Sequence, residues 1–219
     1  MTISARERLI LAAERLMAEK GPSVSLRDIA IAAEQRNNSA VQYHFDTRDG
    51  LIRAVVDYRI EMLEPRRRAL LAEYFGSTVS SAESGNPVHG LLEVLTLPMF
   101  ELGPRFGATH YARFHEQVRA NRAVRDATNL SDERRSSILT IMRGLDKALA
   151  PLPPQLRERR LRSLPTVLFS LLADHERAVE DGRIAADDPN AVAELLDMAN
   201  GLLRAPVSAG QRVRSDLSV

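Results

Sequence analysis

The sequence predicts an all-α protein, and three observations carry that prediction. Apolar residues recur at helical spacing in segment after segment, and none alternates as a half-buried strand would. Start signals open several of these segments, either a capping residue followed three positions on by an acid or a Pro at the first helical position. Only 11 Gly and 11 Pro in 219 residues leave little chain for loops, and 44% hydrophobic with 27% charged residues is an ordinary globular composition.

In order, the first helix runs from Ser4 to about Lys20. Ser4 and Glu7 form a capping box, Leu9, Ala13 and Leu16 share a face, and Gly21-Pro22 stops the run. Ser25 and Asp28 repeat the start signal for a short second helix in which Leu26, Ile29, Ala30 and Ala33 face one way. Asn37 and Asn38 suit a turn, after which "SAVQYHF" forms a third helix with Val41 and Phe45 inward. Asp46 and Thr47 cap a fourth, with Leu51, Val55, Tyr58 and Met62 as its stripe and Pro65 kinking or dividing it. The Ser/Gly-rich stretch from Gly76 to Pro87 reads as a mobile loop. Further helices are expected at about 88–102, 108–121, 131–150, 154–181 and 188–204, the last opened by Asp188 and Pro189, with a disordered tail from 207 to 219. The organisation expected is a three-helix domain over 1–47 and a helical body over 48–206.

The totals restrict function as well. A chain without Cys carries no disulfide, thiolate metal site or redox pair. The N-terminal stretch mixes charges among its apolar residues, unlike a signal peptide or a membrane span, so a cytoplasmic protein with no membrane partner is expected. A net charge of +1, from 30 basic and 29 acidic residues, makes no case for nucleic acid by itself. His110 and His115 are five apart and off a common helical face, and Asp174, His175 and Glu176 are adjacent and point different ways. There is no Gly-x-Ser-x-Gly and no phosphate loop, so neither an enzyme nor a cofactor is expected.

Three short amphipathic helices at the N-terminus fit a helix-turn-helix and equally fit a generic three-helix core. The order "VSLRDIAIAA", "YHF", "TRDGLIRAVV" goes further: over roughly residues 5–60 it resembles the N-terminal domain of the TetR family of transcriptional regulators. The family pattern is Thr-x-x-Asp-Ile-Ala, then Tyr-x-His-Phe, then a Lys-x-x-Leu turn. Where the family has Ala-Gly-Val-Ser this chain has Ala33-Glu34-Gln35-Arg36, its run from Asp28 to Tyr43 is about two residues longer, and Arg48 replaces the Lys. The resemblance implies a homodimer with a DNA-binding head on each subunit and a helical body that binds a small-molecule inducer.

On that footing, the third helix would lie in the major groove of double-stranded DNA. Arg36, Asn37, Asn38, Ser39 and Gln42 are then candidates to read bases, Arg at guanine and Asn or Gln at adenine. By resemblance Tyr43 and His44 reach phosphates, joined by Ser25, Thr47 and Arg48. The plainer alternatives are that the asparagines only make the turn, that Arg36 is solvated and that His44 packs at the junction. In the body, Met99, Phe100, Phe106, Tyr111, Phe114, His115 and Met142 are candidates to line the inducer cavity, or else core. Leu164, Leu168, Leu171, Leu172, Leu195, Leu196, Ala199 and Leu202 are candidates for the dimer interface, or else intramolecular core. A dimer would bind a near-palindromic operator. The rival reading is a helical protein–protein adaptor that has lost DNA binding.

Overall fold

The computed structural model describes residues 3–35, 40–76, 86–102, 109–121, 124 and 135–207. Among them the chain is all-helical and has no strand. The helices are α1 (Ala5–Lys20), α2 (Leu26–Ala32), α3 (Ala40–Phe45), α4 (Arg48–Gly76), α5 (Pro87–Phe100), α6 (Tyr111–Val118), α7 (Ser136–Ala148), α8 (Pro154–Glu180) and α9 (Pro189–Arg204). No described helix is long and apolar enough to cross a membrane.

The local signals act as their chemistry dictates. Ser4 accepts the Glu7 N–H at 3.2 Å while the Glu7 carboxylate accepts that of Ser4 at 2.9 Å, closing the capping box on α1. Ser25 caps α2 by accepting from Asp28, Thr47 caps α4 by accepting from Gly50, each at 3.0 Å, and Asp188 caps α9 at Asn190. Pro65 neither divides nor ends α4, which runs unbroken from Arg48 to Gly76, and Pro98 lies within α5, which continues to Phe100. Tertiary packing holds both helices through the lost backbone donor.

Three apolar clusters make the core. The first joins α1 to α3 with the first half of α4 and with Tyr111, Phe114 and Val118 of α6, so the N-terminal domain's core continues past residue 47 into the body. The second gathers the end of α4, α5, α7 and the inner face of α9 around Leu92, Ile141 and Leu145. The third, Phe100, Ala112, Leu168, Leu172, Ala173 and Leu195, fills the space among α5, α6, α8 and α9.

That packing corrects the assignment of the last helices. Leu164, Leu168, Leu172, Leu195, Leu196 and Ala199 are all buried within the single chain, because α9 packs against both α8 and α5 and needs this face for the internal core. They have no surface left for a partner. Leu171 and Leu202 keep partial exposure, and Met198 is 45% exposed on the outer side of α9.

Candidate functional site

The N-terminal surface is organised by α3. Val41 and Phe45 enter the first cluster, while Gln42 and Tyr43 face out, Tyr43 at 84% exposure. Ala40 is buried with them, so of the six residues of α3 only Gln42 and Tyr43 are fully exposed. His44 is half-buried between its neighbours, its ring 5.0 Å from Tyr43 and 6.0 Å from Phe45. Ser25, Arg27 and Thr47 are also exposed, although the Ser25 and Thr47 hydroxyls already accept capping bonds. Arg36, Asn37, Asn38 and Ser39 lie outside the described residues, as does Phe106 of the expected cavity.

The turn leading toward α3 has a definite geometry. Glu34 takes φ 57°, its N–H donates to Ile31 O and the Gln35 N–H donates to Ala30 O, both at 2.9 Å. That pair of bonds is a Schellman motif, with a left-handed residue at the first position past the helix. Glu34 thus stands where the TetR pattern places Gly, in a backbone conformation that Gly adopts without strain. At the other end of α3, Asp46 is also left-handed at φ 59°. A Cβ on Gly50 would meet the Phe45 carbonyl oxygen at 2.1 Å, so the turn into α4 requires Gly there.

Arg48 is half-buried, and its Nη1 donates to the carbonyls of Pro22 and Val24 at 2.8 and 2.7 Å, tying the α1–α2 turn to the start of α4.

In the body, a cavity of about 160 Å³ opens among α5, α6 and α8. Met99, Phe100 and Tyr111, three of the candidate pocket residues, line it, joined by Leu102, Leu172 and Val179 and by the polar Thr109, His175 and Glu176. Phe114 instead packs in the first cluster and Met142 against the second, neither on the cavity. His115 is buried behind Tyr111, stacked on Phe169 at 3.9 Å. Leu172, first assigned to the dimer interface, is a cavity wall. The contribution of α8 is legible only as the spacing 172, 175, 176, 179, one face of a helix.

Glu176 is the group that sequence reasoning missed. No side chain caps α6 locally, and the Glu176 carboxylate does so instead, accepting the N–H groups of Ala112 and Arg113 at 3.1 and 3.0 Å and the Thr109 hydroxyl at 3.0 Å. Burial pushes its pKa up to about 7 against those donors. The Arg113 guanidinium is directed chiefly at Glu180, with Nε 3.6 Å from Glu176. The other two residues of the triplet diverge, Asp174 pairing with Arg177 at the surface and His175 bonding the Ala186 carbonyl at 3.2 Å.

Helix α6 also joins the cavity to the N-terminal helices. Tyr111 and Ala112 at its start line the cavity, and the preceding His110 N–H donates to Glu14 of α1 at 3.3 Å. Glu14 is itself buried against Arg59 of α4, through two bonds of 2.6 and 2.7 Å. Past the end of α6, Asn121 donates to Asp49 at 3.0 Å. No family model matches the chain, and neither does any curated protein sequence.

Proposed function

We propose that the chain is a sequence-specific, double-stranded DNA-binding transcriptional regulator of the TetR type, a homodimeric repressor released by a small apolar or amphipathic effector. The observation that carries the reading is the division of α3, which buries Val41 and Phe45 and leaves Tyr43 84% exposed beside exposed Gln42. A large aromatic left that open beside the exposed N-terminus of α2, with Ser25 and Arg27, suits contact with a phosphate backbone. In this reading Gln42, with Arg36, Asn37, Asn38 and Ser39, reads base edges, and Tyr43 with His44, Ser25 and Thr47 positions the head. The left-handed turn at Glu34 supports a helix-turn-helix geometry despite the altered residues.

The effector enters the cavity at the start of α6, and displacement of that helix is felt at Glu14 in the head and at Asp49 at the start of α4. Dimerisation uses the outer sides of α8 and α9, where Leu171, Met198 and Leu202 remain accessible.

The deciding experiment is selection of duplexes from a randomised pool at moderate salt. A near-palindromic sequence should be enriched, with half-sites about one helical turn or a little more apart, and affinity should fall steeply as salt rises. Tyr43→Phe should weaken binding to all sequences, whereas Gln42→Ala should change which are preferred. Enrichment of no duplex would replace this reading with the adaptor.

A further inference from the structure

The cavity among α5, α6 and α8 is lopsided in charge. Among the described residues that line it there is one acid, Glu176, and no Lys or Arg. Met99, Phe100, Leu102 and Leu172 make much of the wall apolar, and Thr109 and Tyr111 add only uncharged hydroxyls. His175, edge-on to Phe100 at 4.9 Å, directs Nε2 at the Ala186 carbonyl, so in the neutral ring Nδ1 is an acceptor.

Capping α6 does not exhaust the Glu176 carboxylate. Its Oε1 accepts from Thr109 and Ala112 and its Oε2 from the Arg113 N–H, three bonds for a group with about four acceptor positions. The position left over is on Oε2. A cation does face it, since Arg113 Nε stands 3.6 Å away, but that atom is buried without a hydrogen bond and the Nη1 of the same guanidinium is bonded to Glu180. One cation thus lies between two carboxylates. Glu14, the other acid that acts on Glu176, is matched by Arg59 and does not change the balance. Burial works against the ionised form of Glu176 strongly enough to raise its pKa in spite of the three donors. A second cation, reaching Oε2 from the cavity, would fill the open position and offset the excess charge.

We propose that the cavity takes a small organic ammonium ion, its hydrocarbon part among Met99, Phe100, Leu102 and Leu172 and its nitrogen donating to the open position on Glu176 Oε2. The volume of about 160 Å³ is that of a site for a benzene-sized group. An ammonium brings three donors and a charge to an acceptor that is already ordered by α6, so its bond is charge-assisted where that of an alcohol is not. An anion meets a like charge instead. This assignment rests on the reading of the cavity as the effector site.

Calorimetric titration of the full chain without DNA tests it, with benzylamine, benzyl alcohol and benzoate as probes. Benzylamine should bind at least about tenfold more tightly than benzyl alcohol, and benzoate not at all. Glu176→Gln keeps an acceptor oxygen and loses the charge, and should bring benzylamine and benzyl alcohol within about twofold of one another. Should that variant fail to fold, the parent protein answers by carbon NMR of its Glu carboxyl groups: saturating benzylamine should lower the Glu176 pKa by about one unit or more, and benzyl alcohol should not. Equal binding of benzylamine and benzyl alcohol, binding of neither, binding of benzoate as tightly as benzylamine, or an unchanged Glu176 would overturn the proposal. A chain that binds benzylamine but no duplex keeps this site and loses the regulator reading. One that retards a duplex but fails to distinguish the probes does the reverse.

Discussion

In the N-terminal region α1, α2 and α4 are each capped by the residue just before them, whereas in the body α6 and α7 are capped by carboxylates brought from other helices. Ser4, Ser25 and Thr47 each reach three residues along the chain. Glu176 reaches α6 across 63 and 64 residues, and Glu64 reaches Ser136 and Ser137 across 72 and 73. A local cap serves its helix wherever that helix goes. A remote cap serves only when two helices are docked, so α6 cannot shift without disturbing α8, nor α7 without α4. The body is thereby the more cooperative part, and the part in which a ligand displacing one helix moves others.

The largest expected effect lies where the two regions meet. Glu14 is a head residue acting as a remote partner, holding both Arg59 and the His110 N–H. Glu14→Ala leaves Arg59 charged and buried without a partner, and should cost about 3–5 kcal/mol in urea unfolding. The double replacement Glu14→Leu with Arg59→Leu should recover most of that. A loss below about 1 kcal/mol for the single variant would show that head and body are not joined here.

Next is the turn between α3 and α4, where the head depends on backbone fit. Gly50→Ala places a methyl 2.1 Å from a carbonyl oxygen that cannot rotate away. It should destabilise by about 1–3 kcal/mol, the range for forced overpacking, and on the proposed regulator reading it should also weaken duplex binding because α3 is displaced with the turn. Full stability in this variant would mean that the α3–α4 junction adapts freely.

The same contrast explains what could be read beforehand. The helices of the head were legible because Ser4-Glu7, Ser25-Asp28 and Thr47 sit beside the elements they start, and α9 was legible for the same reason at Asp188-Pro189. The start of α6 was placed at 108 and that of α7 at 131, yet they begin at Tyr111 and Ser136, because their caps, Glu176 and Glu64, are not neighbours in sequence. Periodicity identified the apolar faces of α8 and α9 but could not say what covers them. A leucine facing another helix of its own chain and one facing a partner look alike, and so six residues assigned to a dimer went to the core.

The two remote caps should separate by pH. Glu64 is buried, which raises its pKa, but the bonds from Ser137, Ser136 and Arg68 together hold it below the ordinary 4.5. Its contribution is present above that value and is lost as pH falls, and Glu64→Gln should cost about 1–3 kcal/mol at pH 7. Glu176 has the opposite sign. With its pKa near 7 in the fold against 4.5 ordinarily, the folded chain holds a proton that the unfolded chain has released, so its effect on stability declines as pH rises from 4.5 to 7. His115, held near 3 against 6.5, works the other way in much of that window, so the test is the difference between parent and Glu176→Gln. The parent should lose stability relative to this variant as pH rises through the window, and parallel curves would show that Glu176 is not perturbed.

The smallest expected effect is a gain, at a point where the head departs from its own local chemistry. Helices α2 and α8 end in the same Schellman motif, but α8 places Gly182 at the left-handed position, with φ 67°, and α2 places Glu34 there, with φ 57°. A side chain in that region costs roughly 1–2 kcal/mol, offset in part by the greater freedom Gly has in the unfolded chain. Glu34→Gly should therefore raise the urea midpoint by the equivalent of about 1 kcal/mol with an unchanged m-value. It also removes a negative charge from the turn ahead of α3, so on the proposed regulator reading duplex affinity at low salt should rise while sequence preference stays the same. A lower midpoint would mean that Glu34 makes a stabilising contact outweighing its backbone strain, and a changed preference would make Glu34 a reader of sequence rather than only the residue that bends the chain.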